Sequence, residues 1–154
     1  MIGRITPENI EALKPNQIIV FGSNLAGIHG GGAAKIALNK FGAVWGFGIG
    51  LCGQSFAIPT KGVSIETLPL GQIKEGVDYM IEAAKDSKWL TFLVTQIGCG
   101  LAGYTPEQIA PMFKKAIEVK NIHLPIEFWN VLNPNRPMLY ESENTRLLKM
   151  PRRH

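Results

Sequence analysis

The chain has 154 residues, with 16 Lys and Arg against 12 Asp and Glu, a formal net charge of +4, and 17 glycines. This length suits one domain with a real core. The 45% apolar and 18% charged content excludes a disordered chain, and no run approaches the ~20 apolar residues that span a membrane. Two cysteines, Cys52 and Cys99, are too few for a disulfide framework or a zinc site. MIGRITPENI at the start has no signal-peptide apolar region, so a cytoplasmic protein with no membrane partner, metal or cofactor is expected.

Thr6-Pro7-Glu8-Asn9 reads as an N-cap with Pro at the first helical position, opening a short helix over 6–13 that Pro15 stops. Gln17–Phe21, QIIVF, is a continuous β-branched run of the kind buried on both faces of a parallel sheet. It enters the loop GSNLAGIHGGG, after which residues 33–41 place Ala34, Ala37, Leu38 and Phe41 at helical spacing. The segment GAVWGFGIGLCGQ fits either a loop or an irregular hairpin, and residues 55–59, SFAIP, form a short strand before a Thr-Lys-Gly loop. Residues 70–85 carry Ile73, Val77, Met80, Ile81 and Ala84 on one face of an amphipathic helix. WLTFLVTQ, residues 89–96, is a second core strand leading into IGCGLAGY. Thr105, Pro106 and Gln108 then cap a helix through Ile117. LPIEFWNVL, residues 124–132, reads as a final strand with Pro125 at its edge or first position. Strands alternating with helices predict an α/β, three-layer α/β/α domain over 1–132 with a mixed, largely parallel central sheet.

Glycine makes up about 11% of the chain, against roughly 7% on average, and it is clustered. Five glycines fall in Gly22–Gly32, five in Gly42–Gly53 and three in Gly98–Gly103. Clustering marks backbone that must approach something closely or adopt φ > 0. Charge is uneven too: residues 1–132 hold eleven Lys and Arg against ten acids, whereas the basic, Pro/Asn/Arg-rich tail 133–154 holds five against two. The tail reads as solvated, with a weak nucleic-acid contact as its functional alternative.

Ligands of open α/β sheets bind beyond the carboxyl ends of the strands, where loops turn into helices. Both strand-glycine-helix units are built for that position. Their unpaired backbone N–H groups and the positive end of the following helix can hold phosphate without basic side chains, and two such loops suit a pyrophosphate. GSNLAGIHGGG is not a GxGxxG, and no GxxxxGK[ST] occurs, which disfavours a hydride-transfer enzyme or a P-loop kinase.

The pattern VFGSNLAGIHGGGAAKIA…FG followed by VTQIGCGLAGYTPEQIAPMF resembles the macrodomain, the ADP-ribose-binding module, over roughly Gln17–Leu132. Within it, FAIPTKG and IGCGL look most like the subclass that removes terminal ADP-ribose from acidic side chains or DNA bases through a lysine in a T-K loop. The resemblance implies that Lys61 is the catalytic lysine and Asn24 a ribose contact, an Asx turn being the other reading of Asn24. It further implies that Gly30, Gly31 and Gly32, with Gly98, Cys99, Gly100, Leu101, Ala102, Gly103 and Tyr104, hold the ligand, Tyr104 reading equally as an aromatic wall to the distal ribose or as packing. The partner is then ADP-ribose, or protein or DNA that carries it. Two positions depart from the pattern. Ala102 stands where the lysine's acidic partner is expected, and Ala34 where the better-known hydrolytic class has Asp.

That departure bears on chemistry. Cleavage at the anomeric carbon passes through a cation-like state that usually takes a carboxylate; Lys61 can instead act as an amine on the opened ribose if its pKa is lowered. Glu66, in the same loop, is the nearest substitute acid in sequence. His29, ahead of the glycine triplet, is a second catalytic candidate, as a general base or ribose donor. Cys99 reads as small filler or a reactive thiol, and Trp129-Asn130 as core or an adenine contact. Three activities remain open: ADP-ribose binding with glycohydrolase activity through Lys61, an ADP-ribose-phosphate phosphatase or phosphodiesterase using His29, and a non-enzymatic reader or interaction module.

Overall fold

A computed structural model describes residues 3–133; the expected basic tail lies outside them. The five strands are β1 (Gln17–Asn24), β2 (Gly50–Cys52), β3 (Ser55–Lys61), β4 (Thr91–Val94) and β5 (Ile122–His123). The four helices are α1 (Gly32–Lys40), α2 (Leu70–Asp86), α3 (Pro106–Ile109) and α4 (Ile126–Leu132), with a 3-10 helix over Ala110–Glu118. One mixed sheet of order β2-β3-β1-β4-β5 is parallel except for β2, which forms an antiparallel hairpin with β3.

The chain passes from β1 to β3 on one side, then from β3 back across β1 to β4. Right-handed crossovers in opposite directions deposit their helices on opposite faces, which makes the α/β/α sandwich. Strand alternation serves both faces at once. Ile18, Val20, Phe56 and Ile58 pack with Val77, Met80, Phe113, Phe128 and Trp129 beneath α2, the 3-10 helix and α4. Ile19, Phe21 and Ala57 meet Ala34, Ala37 and Phe41 on the α1 face, where the small side chains let α1 sit close to the sheet. Among the described residues, no helix is long and apolar enough to cross a membrane.

Four sequence expectations are corrected. Residues 6–13 are not helical: Ile5 bridges Leu124 in parallel, and Ile5 packs on one face of the sheet while Ile10 and Leu13 pack on the other. An extended path covers both faces, which a two-turn helix cannot. The run 124–132 is not a strand; Pro125 is the N-cap of α4, with Glu127 in its first turn. The helix expected through Ile117 is α-helical for one turn, after its Thr105–Gln108 capping box, and then 3-10. Pro111 has no N–H to continue the α ladder. The strand of 89–96 narrows to Thr91–Val94.

Candidate functional site

Three loops leave the carboxyl ends of the adjacent strands β3, β1 and β4, and they are bonded to one another. Leu25 N–H donates to Lys61 O (2.9 Å), and Thr60 Oγ1 to Ser23 O (3.3 Å). The loops after β3 and β4, the two strands that flank β1, are joined to each other: Thr67 Oγ1 donates to Ala102 O (3.1 Å) and Tyr104 OH to Leu68 O (2.7 Å). Because the helix after β1 lies on one face and those after β3 and β4 on the other, these loops flank the topological switch of the sheet, the usual ligand position in such folds.

The first loop is held from below. Asn24 Nδ2 donates to Ile28 O (2.8 Å), and Ile28 N–H donates to Asn24 Oδ1 (2.9 Å), so both polar atoms of this side chain shape the loop's own turn. His29 is only 1% exposed. Its Nε2 sits 3.0 Å from Val44 O and 3.1 Å from Phe47 O, which makes Nε2 the protonated nitrogen, and its ring meets Phe21 edge-on at 5.3 Å. Nδ1 is buried without a hydrogen-bond partner. The geometry gives His29 the work of pinning the 44–47 segment to the first loop, from a position closed to solvent. Gly27 makes that seam possible, since at φ +71° a Cβ would overlap the backbone of Gly46 and Phe47.

Above the seam the glycine triplet is open. A Cβ at Gly30, Gly31 or Gly32 would meet nothing within 4 Å. Among the described residues, the N–H groups of Gly30 and Gly31 have no acceptor, and the first N–H groups of α1 follow directly. The second loop repeats this state. Gly98, at φ +74°, turns the chain where a Cβ would press on Ile109 Cδ1 at 2.9 Å. Tyr104 N–H closes the loop onto Gly98 O (2.9 Å). Within it the N–H groups of Gly100, Leu101 and Ala102 are without acceptors among the described residues, and Leu101 at the tip is 90% exposed. Gly22 links the two loops, since its Cβ would lie 3.6 Å from Gly98 N.

Lys61 ends β3, half-buried, with its Cα in register opposite Asn24. The ion pairs among the described residues are Lys74–Asp78 and Lys85–Glu82, so no carboxylate neutralises Lys61. Glu66 is exposed and turned back on its own loop: Ser64 N–H donates to its Oε1 (3.0 Å), and the carboxylate lies over Gly62. The same loop holds Ile65 at φ +65°, a β-branched residue in the left-handed region, which stores about 1–3 kcal/mol of strain.

Cys99 is half-buried. Burial, then the charges of Glu107 and Glu127, push its thiol up to about 11, so it is a neutral thiol in the native chain at ordinary pH. Glu127 was invisible to sequence reasoning as a neighbour of this loop because its segment was expected to be a strand. Trp129, which the sequence left as core or an adenine contact, is core: it is fully buried, on α4 where a strand was expected, and donates from Nε1 to Arg4 O (2.7 Å). Among the described residues, no group of three His, Cys, Asp or Glu side chains is placed to hold a metal ion. No family model matches the chain, nor does any curated protein or solved structure.

Proposed function

We propose that the chain binds ADP-ribose, or a closely related nucleoside diphosphate, between the 24–32 and 98–104 loops, with the pyrophosphate on backbone N–H groups. The observation that carries this reading is the set of unpaired donors: Gly30 and Gly31 on one loop, and Gly100, Leu101 and Ala102 on the other, at the carboxyl ends of adjacent strands. Unsatisfied amides beside a helix N-terminus attract an anion. Two such loops match the two phosphates of a diphosphate, and the motifs on them are those that resemble the macrodomain.

Lys61 gives the reading its chemical side. Its strand neighbours Asn24, and its loop is bonded to the second glycine loop through Thr67 and Tyr104. A primary amine there would meet the distal ribose of a ligand whose pyrophosphate lies across the glycines. A glycohydrolase step assisted by an amine in place of a carboxylate follows, at a rate well below that of a site with both groups.

Calorimetric titration with ADP-ribose tests the binding, and absence of heat at millimolar ligand contradicts it. Release of ADP-ribose from modified protein or DNA, compared between wild type and Lys61→Ala, tests the chemistry. Loss of release with retained binding assigns the step to Lys61; equal rates remove Lys61 from it.

A further inference from the structure

The amino end of the sheet carries a second polar feature, remote from the glycine loops. A cavity of about 620 Å³ opens between the turn from α2 to β4 and the segment from the 3-10 helix to β5, with Lys85, Lys88, Lys115 and Lys120 around it and one acid, Glu118. Its floor is rigid. Asn121 Nδ2 is shared among Ala84 O (2.9 Å), Ser87 O (3.1 Å) and Leu90 O (2.9 Å), which satisfies the end of α2 and ties the two segments together. Lys85 is paired with Glu82 at 3.1 Å. Lys88, Lys115 and Lys120 have no carboxylate within ion-pair distance among the described residues. The residue after Lys88 is Trp89, 71% exposed, so the turn that lines the cavity also holds a large aromatic surface in water.

We infer that this face docks single-stranded nucleic acid, with backbone phosphates on Lys88, Lys115 and Lys120 and an unpaired base on Trp89. Unpaired ammonium groups around a concavity complement a polyanion. The exposed indole selects among polyanions, since a base stacks on it and an acidic peptide gains nothing from it. A duplex hides its bases and would leave Trp89 unused. The surface is independent of the glycine loops, and its occupancy does not depend on ADP-ribose.

The test is fluorescence anisotropy of a labelled oligothymidylate of about 12 nucleotides with the full chain. Three phosphate contacts predict a log–log salt slope of about −2, so a rise in salt of about fourfold weakens binding roughly twentyfold. Trp89→Ala should weaken it about fivefold or more. The Lys88→Glu, Lys115→Glu, Lys120→Glu triple variant should abolish it with the thermal melt unchanged, and saturating ADP-ribose should leave it intact. The inference is overturned if no anisotropy change occurs, if the triple variant binds as wild type, if ADP-ribose competes, or if polyglutamate displaces the oligonucleotide and Trp89→Ala has no effect.

Discussion

The corner beside β5 and the loops beyond β1 and β4 treat backbone polar groups in opposite ways. At the corner, the buried Arg4 guanidinium donates to Ala116 O, Ile117 O, Val119 O and Ile122 O at 2.8–3.0 Å and lies 5.2 Å from the Trp129 ring centroid. One side chain thereby supplies donors to Ile117 O and Ile122 O and a second donor to Ala116 O and Val119 O, which already accept from the Val119 and Ile122 N–H groups at 3.0 Å. At the loops, backbone N–H donors are left unpaired among the described residues at Gly30, Gly31, Gly100, Leu101 and Ala102, on exposed or half-exposed backbone. The contrast separates a polar cluster that closes the fold from one whose donors stay open, where the proposed ligand would bind. It implies that substitutions in the first change stability and substitutions in the second change binding.

The largest effect should come from the closed cluster. Arg4→Ala strands buried carbonyls and should lower the unfolding free energy by about 3 kcal/mol, read by chemical denaturation; a loss under about 1 kcal/mol breaks the contrast. Next is Cys99, whose raised pKa should slow alkylation at pH 8 by on the order of a hundredfold relative to an unfolded thiol. Its folded pKa lies above the unfolded one, so its contribution to stability is full below pH 9 and is lost as pH rises through about 11. A fast-reacting Cys99 would mean that the second loop holds a thiolate, and a neutral amide cradle would no longer describe it.

Gly30→Leu sharpens the other side. The position is exposed, its φ is not left-handed, and a Cβ meets nothing, so stability should hold within about 0.5 kcal/mol. ADP-ribose affinity should nonetheless fall about tenfold or more, as the side chain fills the space over the triplet. The smallest effect is on pH dependence. Burial, then the Arg4 charge, lowers the His123 pKa below its ordinary value of 6.5. The native chain therefore keeps His123 neutral while the unfolded chain takes up a proton, so this stability is present above pH 6.5 and declines as pH falls. His123→Gln should flatten that acid limb.

The layer order of the fold was legible because QIIVF and the 70–85 face each have one dominant periodicity, and burial on both sides of β1 uses Ile18, Ile19, Val20 and Phe21 alike. The ends were not. Ile5, Ile10 and Leu13 pack on opposite faces of the sheet, and that long-range pairing outweighs the local cap at Thr6-Pro7. For residues 124–132, β-forming side chains masked the helix signal of Pro125 with Glu127. At the site, glycine clustering pointed to the two open loops, because a missing Cβ is written in the sequence. The inward turn of His29 was not readable, since its partners are the carbonyls of Val44 and Phe47, and any residue type supplies a carbonyl. Asn24 differs, because a local turn was one of its two sequence readings, and its amide does serve its own loop.

The most direct measurement is an amide-resolved NMR titration with ADP-ribose. The Gly30, Gly31, Gly100, Leu101 and Ala102 amides should shift together along one binding curve, while those of Lys88 and Lys120 at the opposite end of the sheet stay in place. Saturating ligand that leaves these five amides unmoved, or moves only one of the two loops, would contradict it.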